Sequence, residues 1–264
     1  MYPKPKKRLG QNFLIDKNIQ RKIISCCELG LSDNILEIGP GRGELTKFIA
    51  ERVKRVVAVE IDGNLFQELK NTFKDYKNIK IVNSDILSFN PNRYFRNSKN
   101  KEKILIKVIG NIPYYISTPI IKHLFDFKTK INSIFITVQK EFAKRVTASP
   151  GSKDYGSLSC FVQYNTDPKI LFTIKRGSFF PIPKVDSCLL RLNIRHKKIG
   201  LKDESLFFKI VRGAFNKRRK TLRNSLIDIL PQKTLKTFFD KFSMDPDIRP
   251  EDLSLQDFAN LANL

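Results

Sequence analysis

Histidine and cysteine are scarce in this chain of 264 residues. The two histidines, His123 and His196, lie far apart in the sequence. There is no CxxC pair and no spacing of histidine and cysteine that is typical of a zinc site. The sequence therefore argues against a metal site and a histidine-based catalytic triad, and we expect the cysteines to be reduced structural thiols. They are Cys26, Cys27, Cys160 and Cys188.

Long apolar runs are absent as well. The most apolar stretch, residues 131–138, is interrupted by Asn132 and Ser133, whereas a membrane-spanning helix needs roughly 18 apolar residues. Residues 1–10 include basic side chains, but no apolar segment follows them, which does not fit a secretory signal. Glycine and proline number only 12 and 13, so collagen-like and disordered classes are excluded. We expect a folded cytoplasmic protein with no membrane partner.

Acidic residues are few relative to basic ones. The chain has 26 aspartates and glutamates against 49 lysines and arginines, which gives a formal net charge of +23. Such a surplus repels itself in a folded chain unless a polyanion lies nearby. Nucleic acid is therefore the expected partner.

From residue 16 onward, apolar strand patterns alternate with amphipathic helical patterns. This alternation is typical of a parallel sheet with crossover helices, so we predict a doubly wound, Rossmann-like α/β sheet. About seven strands are expected, with a hairpin among the last of them. They cover residues 34–38, 55–60, 79–82, 104–109, 133–138, 169–174 and 187–194.

After residue 198 only helical patterns remain. They predict a small all-helical domain behind a basic linker, and thus two domains, residues 1–196 and residues 197–264. The expected helices of the second domain cover residues 204–215, 221–230, 234–242 and 255–264.

Glycines alternate in the motif Glu37-Ile-Gly-Pro-Gly-Arg-Gly43, which follows the first strand and precedes a helical pattern. Such a turn lets the backbone approach a ligand and exposes N–H groups at the start of a helix. The motif is neither G-x-G-x-x-G nor a P-loop, and Glu44 just inside the helix disfavours a pyrophosphate.

Acidic residues mark the ends of the next two strands. Glu60 ends the second strand, where a carboxylate can accept hydrogen bonds from a ribose diol. Asp85 follows the third strand, where it can accept from an exocyclic amine. Glu60 taken alone could equally be an exposed acid at a strand end. Because the glycines and both acids fall at the carboxyl ends of strands, the pattern indicates a nucleoside-containing cofactor without a tightly held phosphate.

The motif Asn111-Ile-Pro-Tyr114 ends the fourth strand in the same crevice. The Asn111 side-chain oxygen and the Ile112 carbonyl can accept from an adenine amine and bias its nitrogen toward tetrahedral geometry. Pro113 stiffens the turn, and Tyr114 offers a ring on which an extruded base can stack. The amine proton leaves only after the nitrogen has become cationic, so no strong general base is needed.

Together these motifs resemble the S-adenosylmethionine-dependent ribosomal RNA adenine N6-dimethyltransferases. The likeness spans essentially the whole chain and keeps the order of the motifs. It also includes Gln11-Asn-Phe-Leu14, residues 139–146, residues 155–159, Phe180-Pro-Ile-Pro-Lys-Val-Asp-Ser187, residues 215–222 and residues 249–254.

The resemblance implies a class I methyltransferase sheet, a monomer, and S-adenosylmethionine as cofactor. It implies a catalytic motif at Asn111, Ile112, Pro113 and Tyr114. Arg42 stands where the family often has an aliphatic residue, but the backbone at this position should matter more than the side chain. The implied cofactor-binding residues are Asn12, Leu14, Gly39, Gly41, Gly43, Glu60, Ile61, Asp85, Ile86 and Asn111.

The family has two branches. One dimethylates two adjacent adenosines in a hairpin near the 3′ end of small-subunit (16S) ribosomal RNA, and the other modifies a large-subunit adenosine and confers antibiotic resistance. Residues 218–222 and 249–254 resemble the first branch, so small-subunit RNA or a subunit precursor is the expected partner. The alternatives are the second branch and a non-catalytic ribosome-assembly factor, whereas a nicotinamide dehydrogenase is disfavoured because G-x-G-x-x-G is missing.

Two further groups of residues have competing interpretations. In the resembling family an aromatic residue beside Pro181 lines the target-base pocket with Tyr114, and here it is Phe179 or Phe180, although Phe179 could be a core residue. A basic cluster near residue 220 fits phosphate contact, and its alternative is a solvated helix end. The cluster comprises Lys217, Arg218, Arg219, Lys220 and Arg223.

Overall fold

The computed structural model describes residues 5–95, 104–195, 199–217 and 220–264. The chain separates into two compact units, the first within Met1–Ala143 and Lys169–Ile194, the second within Lys144–Pro168 and Arg195–Leu264. No helix in the described ranges is both long enough and apolar enough to cross a bilayer.

The sheet of the first unit is mixed and has seven strands, in the order β4-β3-β2-β5-β6-β9-β7, which confirms the predicted fold class. Strands β2 to β6 run parallel to one another, and β9 pairs antiparallel with β6. A separate two-stranded ladder joins β1 and β8. The strands are β1 (Phe13–Leu14), β2 (Asn34–Ile38), β3 (Arg55–Glu60), β4 (Ile79–Asn83), β5 (Ile106–Asn111), β6 (Ile131–Gln139), β7 (Thr166–Ile174), β8 (Phe179–Phe180) and β9 (Ser187–Ile194).

Several helices begin where a side chain accepts from their first N–H groups. Asp16 accepts from the backbone of Asn18 and Ile19 at the start of α1, and Asp203 caps α7 in the same way. The helices of the described residues are α1 (Lys17–Cys26), α2 (Glu44–Ala50), α3 (Gly63–Thr72), α4 (Ser117–Phe125), α5 (Lys140–Thr147), α6 (Ser157–Asn165), α7 (Glu204–Asn216), α8 (Leu222–Leu226), α9 (Gln232–Phe242) and α10 (Leu255–Ala262).

The core of the first unit lies on both faces of the parallel strands. Val56 and Val57 are adjacent in β3 and both are fully buried, as expected for a central strand that is covered on each side. One face packs against α1 and α2 through Ile23 and Ile49. This burial holds the carboxyl ends of the strands in fixed register at one edge of the sheet.

The second unit has an aromatic core of its own. Tyr164 of α6 packs on Phe207 of α7 with ring centroids 5.2 Å apart, and Phe161 packs on Phe208 at 5.7 Å. These contacts place residues 144–168 in the second unit. This division differs from the predicted single boundary at residue 196 for that segment, whereas the break between residues 194 and 195 lies close to the predicted one.

Candidate active site

Four functional motifs meet where the order of the sheet strands reverses. From β2 the chain builds outward through β3 and β4, and it then returns to place β5 on the other side of β2. Crevices at the carboxyl ends of strands on either side of such a reversal are the usual ligand sites of doubly wound sheets. Here the space between atoms in the crevice is about 810 Å³, with the open solvent at its mouth included.

The glycine turn after β2 forms one wall of this crevice. Gly39 and Gly41 both line it, and each has a positive φ, +64° and +61°. A Cβ on Gly41 would lie only 3.3 Å from the ring of Phe13. The absence of a side chain therefore lets the N-terminal residues close against the turn, and two of the predicted cofactor-binding glycines lie in the cleft.

Gly43 has a packing role instead. It precedes α2 with a φ of +82°, and a Cβ at this position would overlap the ring of Phe73. Gly43 does not belong to the lining of the crevice as the structure describes it. Its position serves the contact between the turn and the end of α3, and its assignment to the cofactor site stays a prediction.

Glu60 is held by the backbone at the end of β3. Its two carboxylate oxygens accept hydrogen bonds from the N–H of Gly41 (3.2 Å) and of Asp62 (2.9 Å). Burial raises the pKa of Glu60, and those two N–H groups oppose the rise. The carboxylate thus ties the glycine turn to the start of α3 while it still faces the crevice.

Residues that follow β3 and β4 form another wall of the crevice. Ile61 is 49% exposed and offers an apolar surface, whereas Ile86 is buried. Asp85 is exposed, and its Oδ1 accepts from the N–H of Leu87 at 2.9 Å, so Oδ2 is the oxygen that a ligand amine would meet. All three residues line the crevice, as their position in the sequence predicted.

The end of β5 supplies the acceptors of the Asn111–Tyr114 motif. Asn111 Nδ2 donates to the carbonyl oxygen of Asn12 at 2.8 Å, which orients the amide, and Oδ1 is the acceptor of that side chain. The hydroxyl of Tyr114 shares a 2.6 Å hydrogen bond with the hydroxyl of Ser187, a fully buried residue of β9. Burial raises the pKa of Tyr114 and the Ser187 hydroxyl opposes the rise, so the phenol is neutral at physiological pH.

The motif around residue 180 divides between core and surface. Phe179 is fully buried in the core with Leu14, to which it is paired in the β1–β8 ladder. Phe180 is 41% exposed. Phe180 is therefore the more accessible of the two rings, because successive side chains of a strand point to opposite faces, and the choice between them for the base pocket stays a prediction. Leu14 is buried in the core beside Phe179, whereas Asn12 lines the crevice.

Basic residues of the predicted phosphate cluster lie on the surface of the second unit. Lys220 and Arg223 are exposed, and Lys217 is paired with Asp228 at 3.2 Å. That ion pair weakens the case for Lys217 as a free phosphate ligand. Arg218 and Arg219 lie outside the described residues.

Four site residues were not singled out from the sequence. Glu37 is a buried acid behind the glycine turn, Ser187 holds Tyr114, and Gln11 and Asp62 form a contact over the crevice. Glu37, Gln11 and Ser187 each stand inside a motif, and Asp62 follows Glu60 closely in the chain, but no local pattern indicates which residue each one contacts. Among the described residues no group of three or more histidine, cysteine or acidic side chains could hold a metal ion.

Comparisons with known proteins agree with this geometry. The sequence model of a family described as "Ribosomal RNA adenine dimethylase" matches residues 3–264. A protein of Clostridium botulinum (strain Okra / Type B1) named "Ribosomal RNA small subunit methyltransferase A" is 40% identical over 259 residues, 97% of this chain and 92% of its own length. The protein of the same name from Streptococcus pneumoniae (strain P1031) is 41% identical over 264 residues, 98% of this chain and 91% of its own.

Solved structures give a similar result. A dimethyladenosine transferase from Plasmodium falciparum superposes with a TM-score of 0.78 at 25% identity, and covers 94% of this chain and 95% of its own. The 23S rRNA methyltransferase ErmE superposes with a TM-score of 0.73 at 25% identity, over 94% of this chain and 97% of its own.

Proposed function

The chain belongs to the ribosomal RNA adenine dimethylase family, and from this premise we propose that it methylates small-subunit (16S) ribosomal RNA. The proposed reaction is the transfer of methyl groups from S-adenosylmethionine to the N6 amines of two adjacent adenosines in a hairpin near the 3′ end. The proposed setting is ribosome biogenesis in the cytoplasm, with a small-subunit precursor as substrate. Names of relatives at 40% and 41% identity support the small subunit over the large one.

The crevice fits S-adenosylmethionine on structural grounds. The glycine turn gives a close backbone approach, and Glu60 presents a carboxylate that is positioned for a ribose diol. Ile61 and Ile86 offer apolar surface for an adenine, and Asp85 Oδ2 can accept from its amine. When bound, S-adenosylmethionine supplies an electrophilic methyl group on a positively charged sulfur. Gly39, Asn12 and Asn111 complete the proposed binding set.

The chemical contribution of the chain is to hold the target amine. Asn111 Oδ1 and the carbonyl oxygen of Ile112 accept from the N6 hydrogens, and this directs the nitrogen lone pair toward the methyl group. Pro113 restricts the turn that carries both acceptors. Tyr114, held through Ser187, and Phe180 would stack on the base, a contact worth roughly 1–3 kcal/mol per stacked base. The single observation that carries the assignment is the hydrogen bond from Nδ2 of Asn111, a crevice-lining residue, to Asn12, because it occupies the amide nitrogen and reserves the oxygen as the acceptor.

The second unit is the proposed RNA-binding part. Lys220 and Arg223 are exposed and can contact phosphates, and Arg218 and Arg219 are adjacent to them in sequence. Binding that depends on phosphate contacts weakens steeply as the salt concentration rises. Replacement of Lys220 and Arg223 should therefore reduce RNA affinity and its salt dependence, without changing cofactor affinity.

The deciding experiment is the transfer of labelled methyl from S-adenosylmethionine to unmodified small and large ribosomal subunits in parallel. Nucleoside mass spectrometry should find N6,N6-dimethyladenosine in the small subunit alone. Asn111→Ala should slow transfer about 100-fold or more while RNA binding stays within twofold, because it removes an acceptor that acts in the transition state. Asn18→Ala, which removes an exposed amide on α1, is the matched control and should leave the rate unchanged.

The alternatives have distinct outcomes in this assay. Label in the large subunit would contradict the small-subunit assignment and favour the branch to which ErmE belongs. Absence of label in both subunits, with RNA binding intact, would favour a non-catalytic assembly factor. Equal losses of methylation and RNA binding in Asn111→Ala would contradict the role of Asn111 as an acceptor for the reacting amine.

A further inference from the structure

The N-terminal strap, residues 5–14, closes one side of the crevice. It includes a short 3-10 turn, Lys7–Leu9, and the two-residue strand β1. Five of its residues, from Leu9 to Phe13, line the crevice. With so little regular backbone pairing, the position of the strap depends on contacts made by side chains.

Asp62 accepts hydrogen bonds from the side chains of two strap residues. Its Oδ1 accepts from Lys6 Nζ at 2.7 Å, and its Oδ2 accepts from Gln11 Nε2 at 3.1 Å. The backbone N–H of Lys6 donates to Gln11 Oε1 at 2.8 Å, which closes a ring of three hydrogen bonds. The Asp62 side chain is only 3% exposed, whereas that of Lys6 is 35% exposed.

Asp62 is also linked to Glu60, which lines the crevice. The N–H of Asp62 donates to Glu60 Oε1, and Glu60 Oε2 accepts from Gly41. One chain of hydrogen bonds therefore runs from Lys6 through Asp62 and Glu60 to the glycine turn. Asp62 itself does not belong to the crevice lining as described, so it acts through the strap and through Glu60.

The negative charge of Asp62 strengthens its contact with Lys6. Burial alone would raise the pKa of Asp62, but hydrogen bonds from Lys6 and Gln11 outweigh it and hold the pKa below its ordinary value. Asp62 is therefore ionised at physiological pH, and its hydrogen bond with Lys6 is charge-assisted, the stronger kind. Farther along the strap, the amide of Asn111 holds the carbonyl of Asn12, and Phe13 is paired with Phe180.

We propose that Asp62 is a positioning residue that latches the N-terminal strap over the cleft and thereby sets how long S-adenosylmethionine stays bound. The inference rests on the proposed function, because it assigns that cofactor to the cleft. Asp62 acts on binding and not on the methyl transfer itself, so its loss should affect cofactor affinity without affecting the maximal rate.

The test is a double-mutant cycle with Asp62→Asn and Lys6→Met. Calorimetry gives the dissociation constant for S-adenosylmethionine, stopped-flow chase gives its dissociation rate, and steady-state methylation gives kcat and KM. Each single variant should bind the cofactor about tenfold more weakly, mainly through faster dissociation. The double variant should be no weaker than the single ones, because both changes break the same contact. At saturating cofactor, kcat should stay within about twofold.

The controls separate the latch from general damage. Asp75→Asn removes one negative charge from an exposed position just beyond the end of the same helix and should leave cofactor binding unchanged. Asp62→Asn keeps a side-chain oxygen for the N–H of Asn64, so α3 keeps its cap. If Asp62→Asn fails to fold, Lys6→Met still tests the contact, because Lys6 lies outside the sheet and the helices.

The outcomes distinguish failure of the latch from failure of the proposed function. Unchanged cofactor dissociation in both single variants would overturn the latch alone, and so would strictly additive effects in the double variant. A fall in kcat at saturating cofactor, with unchanged affinity, would also overturn it. If the unaltered chain binds no S-adenosylmethionine, the proposed function fails and the latch fails with it.

Discussion

Replacement of Glu37 by glutamine is expected to remove a loss of stability that the native chain undergoes as the pH rises through neutrality. Glu37 lies in β2 between Ala58 and Ile109 of the adjacent strands and is 2% exposed. Its Oε2 has no hydrogen-bond partner among the described residues, and neither has Thr46 Oγ1. Burial raises the pKa of Glu37 from 4.5 to about 8; the nearby Thr46 hydroxyl moderates the rise, and the negative charge of Glu60 adds to it.

The direction of the effect follows from which state binds the proton. Between pH 4.5 and about 8, the folded chain keeps the proton on Glu37 and the unfolded chain has lost it. The free energy of unfolding then falls by about 1.4 kcal/mol per pH unit from this group. The stabilising contribution is complete below pH 4.5 and is lost by about pH 8, a total on the order of 5 kcal/mol. A glutamine has no such titration and can donate its amide to Thr46 Oγ1.

The assay is urea unfolding from pH 5 to pH 8.5, followed by hydrogen exchange of peptides from β2 and β3, so that the first unit is observed separately. The difference in unfolding free energy between Glu37→Gln and the native chain should grow in favour of the variant by about 1 kcal/mol or more per pH unit. Glu68→Gln, at an exposed site, should follow the native curve. Parallel curves for Glu37→Gln and the native chain would refute a protonated Glu37 in the folded state.

Three further substitutions test separate contacts of the site. Gly43→Ala, at a φ of +82°, should cost about 1–3 kcal/mol in thermal unfolding, whereas Gly63→Ala, with nothing within 4 Å of its new Cβ, should be close to neutral. Ser187→Ala removes the hydroxyl that holds Tyr114 and should lower kcat about tenfold in the methylation assay, with cofactor affinity unchanged. Phe180→Ala should raise the KM for RNA about tenfold with no loss of thermal stability, since the ring is 41% exposed.

Local patterns were sufficient to predict the sheet. Strands β2 and β3 have the predicted bounds, because short apolar segments that are buried on both faces are marked by their composition alone. The end of helix α1 was harder to predict from the sequence. The amphipathic pattern after Asp16 continues to Leu29, but helix α1 ends at Cys26, and Glu28 beyond it adopts a φ of +47°. A left-handed residue other than glycine carries little sequence signal.

Long-range packing limited the rest of the prediction. The aromatic residues of α6 gave no indication that they pack on α7, about 40 residues later in the chain, so the sequence did not separate residues 144–168 from the sheet. Strand alternation shows that Phe179 and Phe180 point to opposite faces, but not which face is covered. That depends on the pairing of β8 with β1, a contact between distant segments.

The same limit explains why the motifs were recognised but their mutual contacts were not. Gln11 reaches Asp62 across 51 positions, Tyr114 reaches Ser187 across 73, and Asn111 reaches Asn12 across 99. Each contact joins segments that only the strand order brings together, and each fixes a side chain that borders the crevice. The residues that would touch a ligand are therefore predictable from strand ends, whereas the residues that hold them depend on the topology. Activity should thus be sensitive at positions that local motif reading leaves without a role, Asp62 and Ser187 above all.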